Sequence, residues 1–582
     1  MAEITKKIYS DAEPQPMEAV DLLVAYLEQI GVEYVFGVPG GAIEPLFNAL
    51  ARSARRGGIR PVVARHETGA AYMADGYARE TGRIGVCCAT SGPGATNLIT
   101  GVSSAYENEI PMLVITGQTS LHLQGRSALQ ESSESGVDTV AMFRNCTRYS
   151  ALLSHPEQVE RQLINALMSA NQPVPGPVHL SIPLDIQRSL LTLGSAYDLS
   201  HLMIPPSLVD VEAVQKLNAQ LEKAKNILVL IGSSCGDAID LIIKMVERKG
   251  AKFVVTPDAK GFIGPRHPLY AGVFGFAGHE SALEAMNDEK VDLILVVGSG
   301  LGECASNGWD QALLNDRLVH IDSGDLHLSR SPMARLHVRG RIRSVFEYLL
   351  EGMRVENEQP DWVAERRKFI KQTVNSPYRA KSVEAQIKPQ YLMRELGWRC
   401  PSDTRFLADS GNSMIWAIHH LDVYDHQIIP GGWLRVTTNY ASMGWAIGGA
   451  VGTALANRSA PVVCITGDGS LLMNGQEMTV ALSEKLSVLF VILNDGVLGT
   501  VKHAQRLSGA EQVGFELPTV DFRAMAESMG IPGIVIRTAD DFDNLDLNAI
   551  LSRPGPTVLD VRIDSEEVPP IGLRLKILAS KK

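Results

Sequence analysis

The stretch "PVVCITGDGSLL", residues 461–472, joins an apolar strand to a carboxylate at its carboxyl end. β-Favouring residues run into Thr466, as is typical of a strand buried in a parallel sheet. The pattern stops at Gly467-Asp468-Gly469, and turn chemistry alone would explain such a change. The alternative is a ligand site, because open α/β sheets bind ligands at the carboxyl ends of their strands. The strand that follows in the sequence provides the evidence that separates the turn from the ligand site.

A second carboxylate, Asp495, ends the following apolar strand "SVLFVILND", 27 residues after Asp468. A parallel strand–helix–strand unit takes roughly 30 residues, so both carboxylates should reach one edge of one sheet. Mg²⁺ is held by one or two carboxylates together with phosphate oxygens and water. Gly467 and Gly469 would let a phosphate approach the backbone, and Ser470 would offer a hydroxyl or N–H at a helix start. The pair favours a metal–phosphate site, which a turn does not predict.

Apolar strands alternating with helical stretches recur along the whole chain, which predicts parallel sheets built from βαβ units. Examples are "EYVFGVPG", "GVCCATSGPG" and "PMLVITGQ" early in the chain, "NILVLIG" and "VDLILVVGSG" in the middle, and "TRFLADSG" and "PTVLDVRID" later. We predict an α/β fold with three doubly wound parallel-sheet domains, over residues 1–187, 188–370 and 371–582. The glycine-rich "VGSGLGE", residues 297–303, lacks the third glycine of a dinucleotide fingerprint and is weak as a motif.

Composition excludes several classes of protein. The 582 residues carry a formal net charge of −11, which argues against a nucleic-acid surface. No apolar run reaches the roughly 18 residues of a membrane span, and the opening residues lack the apolar region of a signal peptide. The 7 cysteines include no C-x-x-C pair. A cytoplasmic enzyme without nucleic-acid or membrane partners is expected.

Several longer motifs occur in a fixed order: "GVPGGAIEPLFNAL", "RHETGAAYMADGYAR", "SGPGATNLITGVSSAYENEIPMLVITGQ", "ALQE", and then the GDG stretch with its second acidic residue. Over nearly its whole length the chain resembles the acetohydroxyacid (acetolactate) synthase family of thiamine-diphosphate-dependent enzymes. The resemblance implies Asp468, Asp495 and the Val497 carbonyl as Mg²⁺ ligands. Asp495 departs from the family, which usually has asparagine at that position.

The resemblance also implies the catalytic groups. Glu67 would hydrogen-bond to the aminopyrimidine of the cofactor and favour its basic form, which removes the proton from the thiazolium carbon. A solvated glutamate in the first turn of a helix is the alternative for Glu67. Gln130 would face the reacting carbon. In the family the glutamate acts across a subunit interface, which implies a homodimer or homotetramer with active sites at the interface.

Two later segments resemble parts of the family's cofactor site. "LADSGNSMIW" matches the cradle of the diphosphate, and "NYASMGWAIGGAVG" matches the segment under the bend of the cofactor. There Met443 would wedge between the two rings and the Ala441 carbonyl would accept from the amino group; a core methionine is the alternative. The expected cofactor-binding residues are Glu67, Asn97, Asn412, Ser413, Ala441, Met443, Gly467, Asp468, Gly469, Ser470, Asp495, Val497 and Gly499.

Departures from the family leave the substrate open. Where biosynthetic members have a tryptophan that favours 2-oxobutyrate, "TVKHAQ" places Ala504, and a family arginine that contacts FAD and substrate is missing from "LGECASNGWD". Whether FAD is bound therefore stays open, and His503 is equally well explained as a surface histidine. The expected substrate contacts are Gly40, Leu129, Gln130, Val501, Lys502, His503 and Ala504.

These observations predict decarboxylation of a pyruvate-like 2-oxo acid with carboligation to an acceptor carbonyl, dependent on thiamine diphosphate and Mg²⁺. A non-ligating decarboxylase or carbon–carbon lyase of the same family is the nearest alternative. A flavin-dependent oxidoreductase that uses the middle domain is the alternative from another class.

Overall fold

The computed structural model describes residues 16–191, 197–353, 385–423, 429 and 431–572. Internal contacts divide the chain into two compact units. The first unit comprises the chain up to Pro205 together with Ile447–Ala456 and Gln476–Val480, and the second comprises the remainder. No helix among the described residues is long and apolar enough to cross a membrane.

The first unit is built on one six-stranded sheet. Its strands are β2 (Tyr34–Gly37), β3 (Arg60–Val63), β4 (Gly85–Ala89), β5 (Met112–Gln118), β6 (Tyr149–Leu152) and β7 (Pro177–Pro183). They lie in the order β3-β2-β4-β5-β7-β6, and every pair is parallel. A separate antiparallel pair joins β1 (Met17–Glu18) to β8 (Leu190–Leu191). The helices are α1 (Ala19–Gln29), α2 (Glu44–Arg55), α3 (Glu67–Thr81), α4 (Pro93–Asn97), α5 (Ile99–Glu107), α6 (Thr139–Arg144), α7 (Val159–Ala170) and α8 (Leu184–Gln187).

Helix α3 carries the predicted catalytic glutamate as its first residue. The His66 side chain caps the helix by accepting from the Thr68 N–H, and the helix ends at Gly82 in a left-handed conformation. Ala70, Ala74, Tyr77 and Ala78 share one face of the helix and are buried. Burial extends around most of the helix, because α3 also packs against residues 447–456, where the Thr453 hydroxyl donates to the Gly76 carbonyl. A buried helix holds its first residue in a fixed position.

The second unit contains two further parallel sheets. The middle sheet has the order β11-β10-β9-β12-β13-β14. Its strands are β9 (Ile227–Ile231), β10 (Lys252–Val255), β11 (Tyr270–Val273), β12 (Leu293–Val297), β13 (Leu318–Asp322) and β14 (Leu336–Arg339). Its helices are α9 (Val211–Lys223), α10 (Ile239–Lys249), α11 (Glu280–Asn287), α12 (Asp325–Leu328) and α13 (Ile342–Gly352).

The third sheet has the order β16-β15-β17-β18-β20-β19. Its strands are β15 (Arg405–Ala408), β16 (Leu434–Arg435), β17 (Val462–Gly467), β18 (Val488–Asn494), β19 (Gly533–Ile536) and β20 (Thr557–Arg562). The helices in this part of the chain are α14 (Pro389–Arg399), α15 (Asn412–His420), α16 (Trp445–Ala456), α17 (Asp468–Asn474), α18 (Met478–Ser483), α19 (Gly499–Ser508), α20 (Phe522–Ser528), α21 (Ala539–Asp543) and α22 (Leu547–Leu551). Residues 447–456 of α16 and 478–480 of α18 belong to the first unit.

The predicted fold class is confirmed: each predicted domain contains one six-stranded parallel sheet with helices. The exact boundaries at residues 187 and 370 stay predictions. In the third sheet the chain runs from β15 outward to β16 and then returns to β17 on the other side of β15. Such a reversal opens a crevice at the carboxyl ends of the two strands, where ligands of open α/β sheets bind.

Candidate active site

A pocket in the second unit lies where β15, β17 and β18 end. Strands β17 and β18 are hydrogen-bonded neighbours, with Gly467 opposite Leu493, so Asp468 and Asp495 leave the same edge of the sheet as predicted. The pocket wall contains every residue of this unit that the sequence assigned to the cofactor, and Val501 from the substrate set. The predicted residues that line it are Asn412, Ser413, Ala441, Met443, Gly467, Asp468, Gly469, Ser470, Asp495, Val497, Gly499 and Val501.

The two aspartates are close enough to repel each other. Asp468 accepts the N–H of Gly469 (2.7 Å) and, through its other oxygen, the N–H of Gly496 in the turn after Asp495 (2.8 Å). Burial raises the pKa of Asp468. Burial, followed by the charge of Asp468, raises the pKa of Asp495 to about 7. A buried and a half-buried carboxylate in this state favour a cation between them.

The donor set suits Mg²⁺. The described residues contain no group of three or more His, Cys, Asp or Glu side chains that could hold a metal ion. A cation here would therefore depend on two carboxylates, a backbone carbonyl, phosphate oxygens and water, which is how Mg²⁺ is commonly bound. Asp468, Asp495 and the Val497 carbonyl are the groups that would hold it.

Asn412 opens helix α15 on the pocket wall, and its amide is held by helix α19. The Thr500 hydroxyl donates to Asn412 Oδ1 (2.8 Å). A side chain at Gly499 would approach Asn412 Nδ2 to 2.3 Å, so only glycine fits there. At the far end of α15, the buried Lys260 ammonium donates to the carbonyls of Ala417 (3.2 Å) and Ile418 (2.8 Å). A cation at a helix C-terminus is stabilising, and Lys260 thereby fixes the helix that presents Asn412.

Asp409 is a site residue that the sequence interpretation missed. It is fully buried and accepts hydrogen bonds from the Thr466 hydroxyl (2.9 Å) at the end of β17 and from the Gly444 N–H (2.9 Å). It therefore joins the end of β15, the GDG strand and the segment that carries Met443. Its signals in the sequence were its position directly after the strand "RFLA" and its place in "LADSGNSMIW", the stretch that resembles the cradle of the diphosphate.

The segment under the predicted bend of the cofactor has an unusual backbone. Ala441 has a φ of +52°, a conformation that costs free energy for a residue with a side chain and that concentrates at functional sites. Both Ala441 and Met443 line the pocket. These positions support the roles predicted for the Ala441 carbonyl and the Met443 wedge, which stay predictions.

Three predicted substrate residues of α19 lie away from the pocket wall: Lys502, His503 and Ala504. The Lys502 ammonium pairs with Glu566 (2.5 Å) and also donates to the Ser565 carbonyl. His503 accepts from Arg506, and burial followed by the charge of Arg506 lowers its pKa. Their role as substrate contacts stays a prediction, and the pocket itself offers Val501 instead.

The middle sheet also contributes to the pocket wall. Phe276, Glu303 and Cys304 line the pocket, and the Phe276 N–H donates to the Cys304 carbonyl (2.9 Å). The stretch that lacks the family arginine therefore places the Glu303 carboxylate on this wall. Binding of FAD stays an open prediction.

In the first unit, Glu67 is almost completely buried at the start of α3. Asn97, the last residue of α4, donates from its amide to Glu67 Oε2 (2.9 Å), and the Thr68 hydroxyl donates to the Asn97 carbonyl (2.5 Å). A solvated glutamate in the first turn of a helix, the alternative for Glu67, is not what the structure contains. The hydrogen bond from Asn97 engages one oxygen of the Glu67 carboxylate and leaves the other oxygen for a ligand.

The loop with Gln130 is tied to the turn that begins α4. The Gly92 N–H donates to the Ser132 hydroxyl (2.6 Å), which donates to the Gln130 carbonyl (3.1 Å). Gln130 has a φ of +56°, and Leu129 is 89% exposed. Gly40 lies after β2, beside the turn that follows β4, where the Ala42 N–H donates to the Thr90 hydroxyl (3.2 Å). The structure therefore presents these predicted substrate residues at the edge of the first sheet.

Glu477 is a second residue that the sequence did not reveal. Its side chain is fully buried in the first unit and accepts the backbone N–H groups of Arg65 and His66, the two residues before Glu67. A side chain at Gly69 would approach the Glu477 carboxyl carbon to 2.4 Å, so glycine is required there. Burial above all raises the pKa of Glu477 to about 7, and the charge of Glu67 contributes in the same direction. Glu477 thereby fixes the backbone that leads into Glu67.

This geometry predicts a pH-dependent stability. The pKa of Glu477 lies above its usual value of 4.5, so the folded state binds more protons than the unfolded state between pH 4.5 and about 7. Its contribution to stability is therefore present at low pH and lost as the pH rises through about 7. Glu477→Gln should unfold at the same temperature as the wild type near pH 5 and at a higher one near pH 8, measured by scanning calorimetry.

Glu477→Ala serves as the matched control. It leaves two buried N–H groups without an acceptor, at a cost of about 1–3 kcal/mol for each, and should be destabilised at every pH. Parallel pH profiles for wild type and Glu477→Gln would contradict the raised pKa.

Comparison with known proteins assigns the class. Three family profiles match in order: the N-terminal TPP binding domain of thiamine pyrophosphate enzymes over residues 17–142, the central domain over 214–349, and the C-terminal TPP binding domain over 409–561. Fold, pocket and profiles define a thiamine-diphosphate-dependent enzyme.

Full-length relatives narrow the class. The chain is 30% identical over 566 residues to an acetolactate synthase of Arthrospira platensis, covering 94% of each protein. It is 29% identical over 555 residues to the acetolactate synthase isozyme 1 large subunit of Escherichia coli, covering 94% of each. It is 30% identical over 582 residues to the acetolactate synthase large subunit of Haemophilus influenzae, covering 96% of each. The chain belongs to the acetolactate synthase family of thiamine-diphosphate enzymes, and its type of reaction is decarboxylation with carboligation; the flavin oxidoreductase and the simple decarboxylase are not favoured.

Proposed function

We propose that this enzyme decarboxylates a pyruvate-like 2-oxo acid and joins the remaining acyl unit to a second carbonyl compound, with thiamine diphosphate and Mg²⁺ as cofactors. The observation that carries the proposal is the pocket at the ends of β15, β17 and β18, whose wall holds twelve of the fifteen predicted site residues of the second unit. The relatives that are acetolactate synthases support a small 2-oxo acid as the donor.

Thiamine diphosphate, when bound, supplies a carbon nucleophile and a cationic ring that accepts electrons. Asp468 and Asp495 would hold the metal that neutralises the diphosphate, and Asn412 and Ser470 would bind the diphosphate. Asn97 donates to the Glu67 carboxylate, and Glu67 would hydrogen-bond to the pyrimidine and favour its basic form. Apolar residues of the wall, such as Leu498 and Ile563, exclude water, and a less solvated carboxylate loses CO₂ more readily.

The proposal includes a homodimer as the smallest active assembly, with Glu67 of one protomer acting at the metal site of its partner. Exposed apolar side chains on both units support a surface that another protomer covers, among them Leu129, Val137, Leu472, Met473 and Val501. Size-exclusion chromatography with light scattering tests this assembly; an active monomer would contradict it.

A cytoplasmic location and independence from flavin complete the proposal. All seven cysteines are free, as is usual in a reducing compartment. No step of the proposed reaction transfers electrons, so the purified protein should turn over without added flavin, and its absorbance in the visible range measures whether a flavin is bound.

The direct test is release of CO₂ from a panel of 2-oxo acids, with thiamine diphosphate and Mg²⁺ added and with product identified by mass spectrometry. Pyruvate should give CO₂ together with a larger product that contains a new carbon–carbon bond. Glu67→Gln is the inactive control. Release of CO₂ with free aldehyde as the sole product would favour the simple decarboxylase, and no release from any 2-oxo acid would contradict the proposal.

A further inference from the structure

The motif "ALQE", residues 128–131, ends in a glutamate to which the proposed reaction assigns no role. We infer that Glu131 is a positioning residue for the 2-oxo acid, because its carboxylate closes the loop that carries Gln130 and thereby fixes where the Gln130 side chain meets the substrate. The inference rests on the proposed function and deepens it, since Gln130 is the residue expected to face the reacting carbon.

The Glu131 carboxylate accepts hydrogen bonds from four donors of its own loop. Oε1 accepts the Gly125 N–H (2.6 Å), and Oε2 accepts the Ala128 N–H (3.2 Å). Oε1 also accepts the hydroxyls of Ser133 (2.6 Å) and Ser135 (2.5 Å). The two hydroxyls, followed by the Gly125 N–H, lower the pKa of Glu131 to about 2. The side chain is therefore ionised at neutral pH, and hydrogen bonds to an ionised acceptor are shorter and stronger than those between neutral groups.

The four donors lie on both sides of Gln130 in the chain, so the carboxylate holds the loop closed around this residue. Gln130 has a φ of +56° and Ser127 has a φ of +55°, conformations that cost free energy for residues with side chains. Such a backbone persists only where its surroundings restrain it, and the hydrogen bonds to Glu131 supply the restraint. Without an ionised acceptor at position 131, the loop should relax and carry Gln130 away from its position.

Gln130 packs beside the segment that orients Glu67. A Cβ atom added at Gly92 would lie 2.9 Å from the Gln130 Cβ, so the two residues are in close contact. Gly92 directly precedes helix α4, whose last residue, Asn97, donates to the Glu67 carboxylate. The loop that Glu131 closes therefore places Gln130 next to the helix that holds the glutamate of the site.

The test is Glu131→Gln, studied as the holoenzyme. Glutamine keeps the size of the side chain but replaces one acceptor oxygen with an amide group that only donates, so the four donors of the loop lose part of their acceptor. We expect kcat/KM for release of CO₂ from pyruvate to fall by about 10- to 100-fold, because small misplacements in a site cost up to this much. Backbone amide exchange over residues 125–135, measured by mass spectrometry, should become faster. Proton–deuterium exchange at the thiazolium carbon should stay near the wild-type rate, since Glu67 and Asn97 are unchanged.

Gln130→Ala distinguishes positioning from a general loss of structure. If Glu131 acts through Gln130, Glu131→Gln should lower kcat/KM far less in the Gln130→Ala background than in the wild type. The double variant Ser133→Ala and Ser135→Ala keeps the carboxylate, removes two of its donors, and should show the same pattern with a smaller loss. Equal losses in both backgrounds, or loop amide exchange at the wild-type rate in Glu131→Gln, would overturn the inference.

Glu134→Gln is the matched control, because Glu134 is an exposed glutamate of the same loop. It should keep the wild-type kcat/KM and the wild-type amide exchange. Failure of the proposed function gives a different result, in which the wild type itself releases no CO₂ from any 2-oxo acid. Normal release of CO₂ by Glu131→Gln would overturn this inference and leave the proposed function in place.

Discussion

Glu67→Gln should bind thiamine diphosphate and Mg²⁺ and lose the ability to deprotonate the thiazolium carbon. Glutamine keeps the size of the side chain and can still accept from Asn97, but it cannot share a proton with the pyrimidine as the carboxyl group does. Positioned acid–base groups contribute about 10²–10⁴-fold, so proton–deuterium exchange at this carbon should slow by about that factor. Exchange is measured by proton NMR after acid quench.

Asn97→Asp is the comparison variant for this experiment. It replaces the amide that donates to Glu67 with a second carboxylate and should impair exchange through loss of orientation, while Glu67 itself is intact. Exchange at the wild-type rate in Glu67→Gln would remove Glu67 from its proposed role. Normal exchange accompanied by lost turnover would place the defect after proton removal.

Asp468→Ala should abolish binding of the metal–diphosphate pair. The side chain is one of two carboxylates at the site, and it also accepts the N–H groups of Gly469 and Gly496 that shape the loop. Loss of an outer-shell partner already costs about 10- to 100-fold in metal affinity, so loss of this ligand should cost more. Isothermal titration of thiamine diphosphate in the presence of Mg²⁺ measures the change.

Asp495→Asn is the matched control and should bind both cofactors. It keeps an oxygen ligand, restores the residue usual in the family, and removes the charge that Asp468 opposes. Without metal it should therefore unfold at a higher temperature than the wild type. Equal loss of binding in Asp468→Ala and Asp495→Asn would contradict the prediction that Asp468 is required for binding while asparagine can replace Asp495.

Mixing the two inactive variants tests the assembly. In a heterodimer of Glu67→Gln and Asp468→Ala, one site combines both defects and the other combines the intact Glu67 with the intact Asp468. Activity should therefore reappear on mixing if the sites lie between protomers. Mixtures that stay inactive despite subunit exchange would place each site within one chain.

The sequence predicted the central strands and missed most edges of the sheets. Strands such as β5, β12 and β18 are buried on both faces and appear as continuous apolar runs. The edge strands β6, β11, β14, β16 and β19 have only two to four residues each, and the side chains of β6 are all partly exposed. An edge strand is covered less completely, so its composition is not distinct from that of a loop.

Some residues of the candidate site were likewise predicted from the sequence, and others were not. The spacing of Asp468 and Asp495, together with the family motifs, was enough to place twelve residues on one pocket wall, because consecutive parallel strands bring their ends to one edge. Position along α19 did not predict which of its residues line the pocket. Successive residues of a helix are rotated by about 100° around its axis, so Val501 faces the pocket while Lys502 pairs with Glu566.

The sequence by itself therefore determined the three parallel sheets and the shared sheet edge of Asp468 and Asp495, since each depends on local patterns and on chain order. Only the tertiary structure revealed Asp409, Glu477 and Glu303 as parts of the site. An acidic residue in a turn or helix has the same pattern in the sequence whether it is solvated or enclosed. Burial and partners decide its chemistry, and both come from segments distant in the chain: Thr466 for Asp409, the peptides before Glu67 for Glu477, and the ends of the third sheet for Glu303.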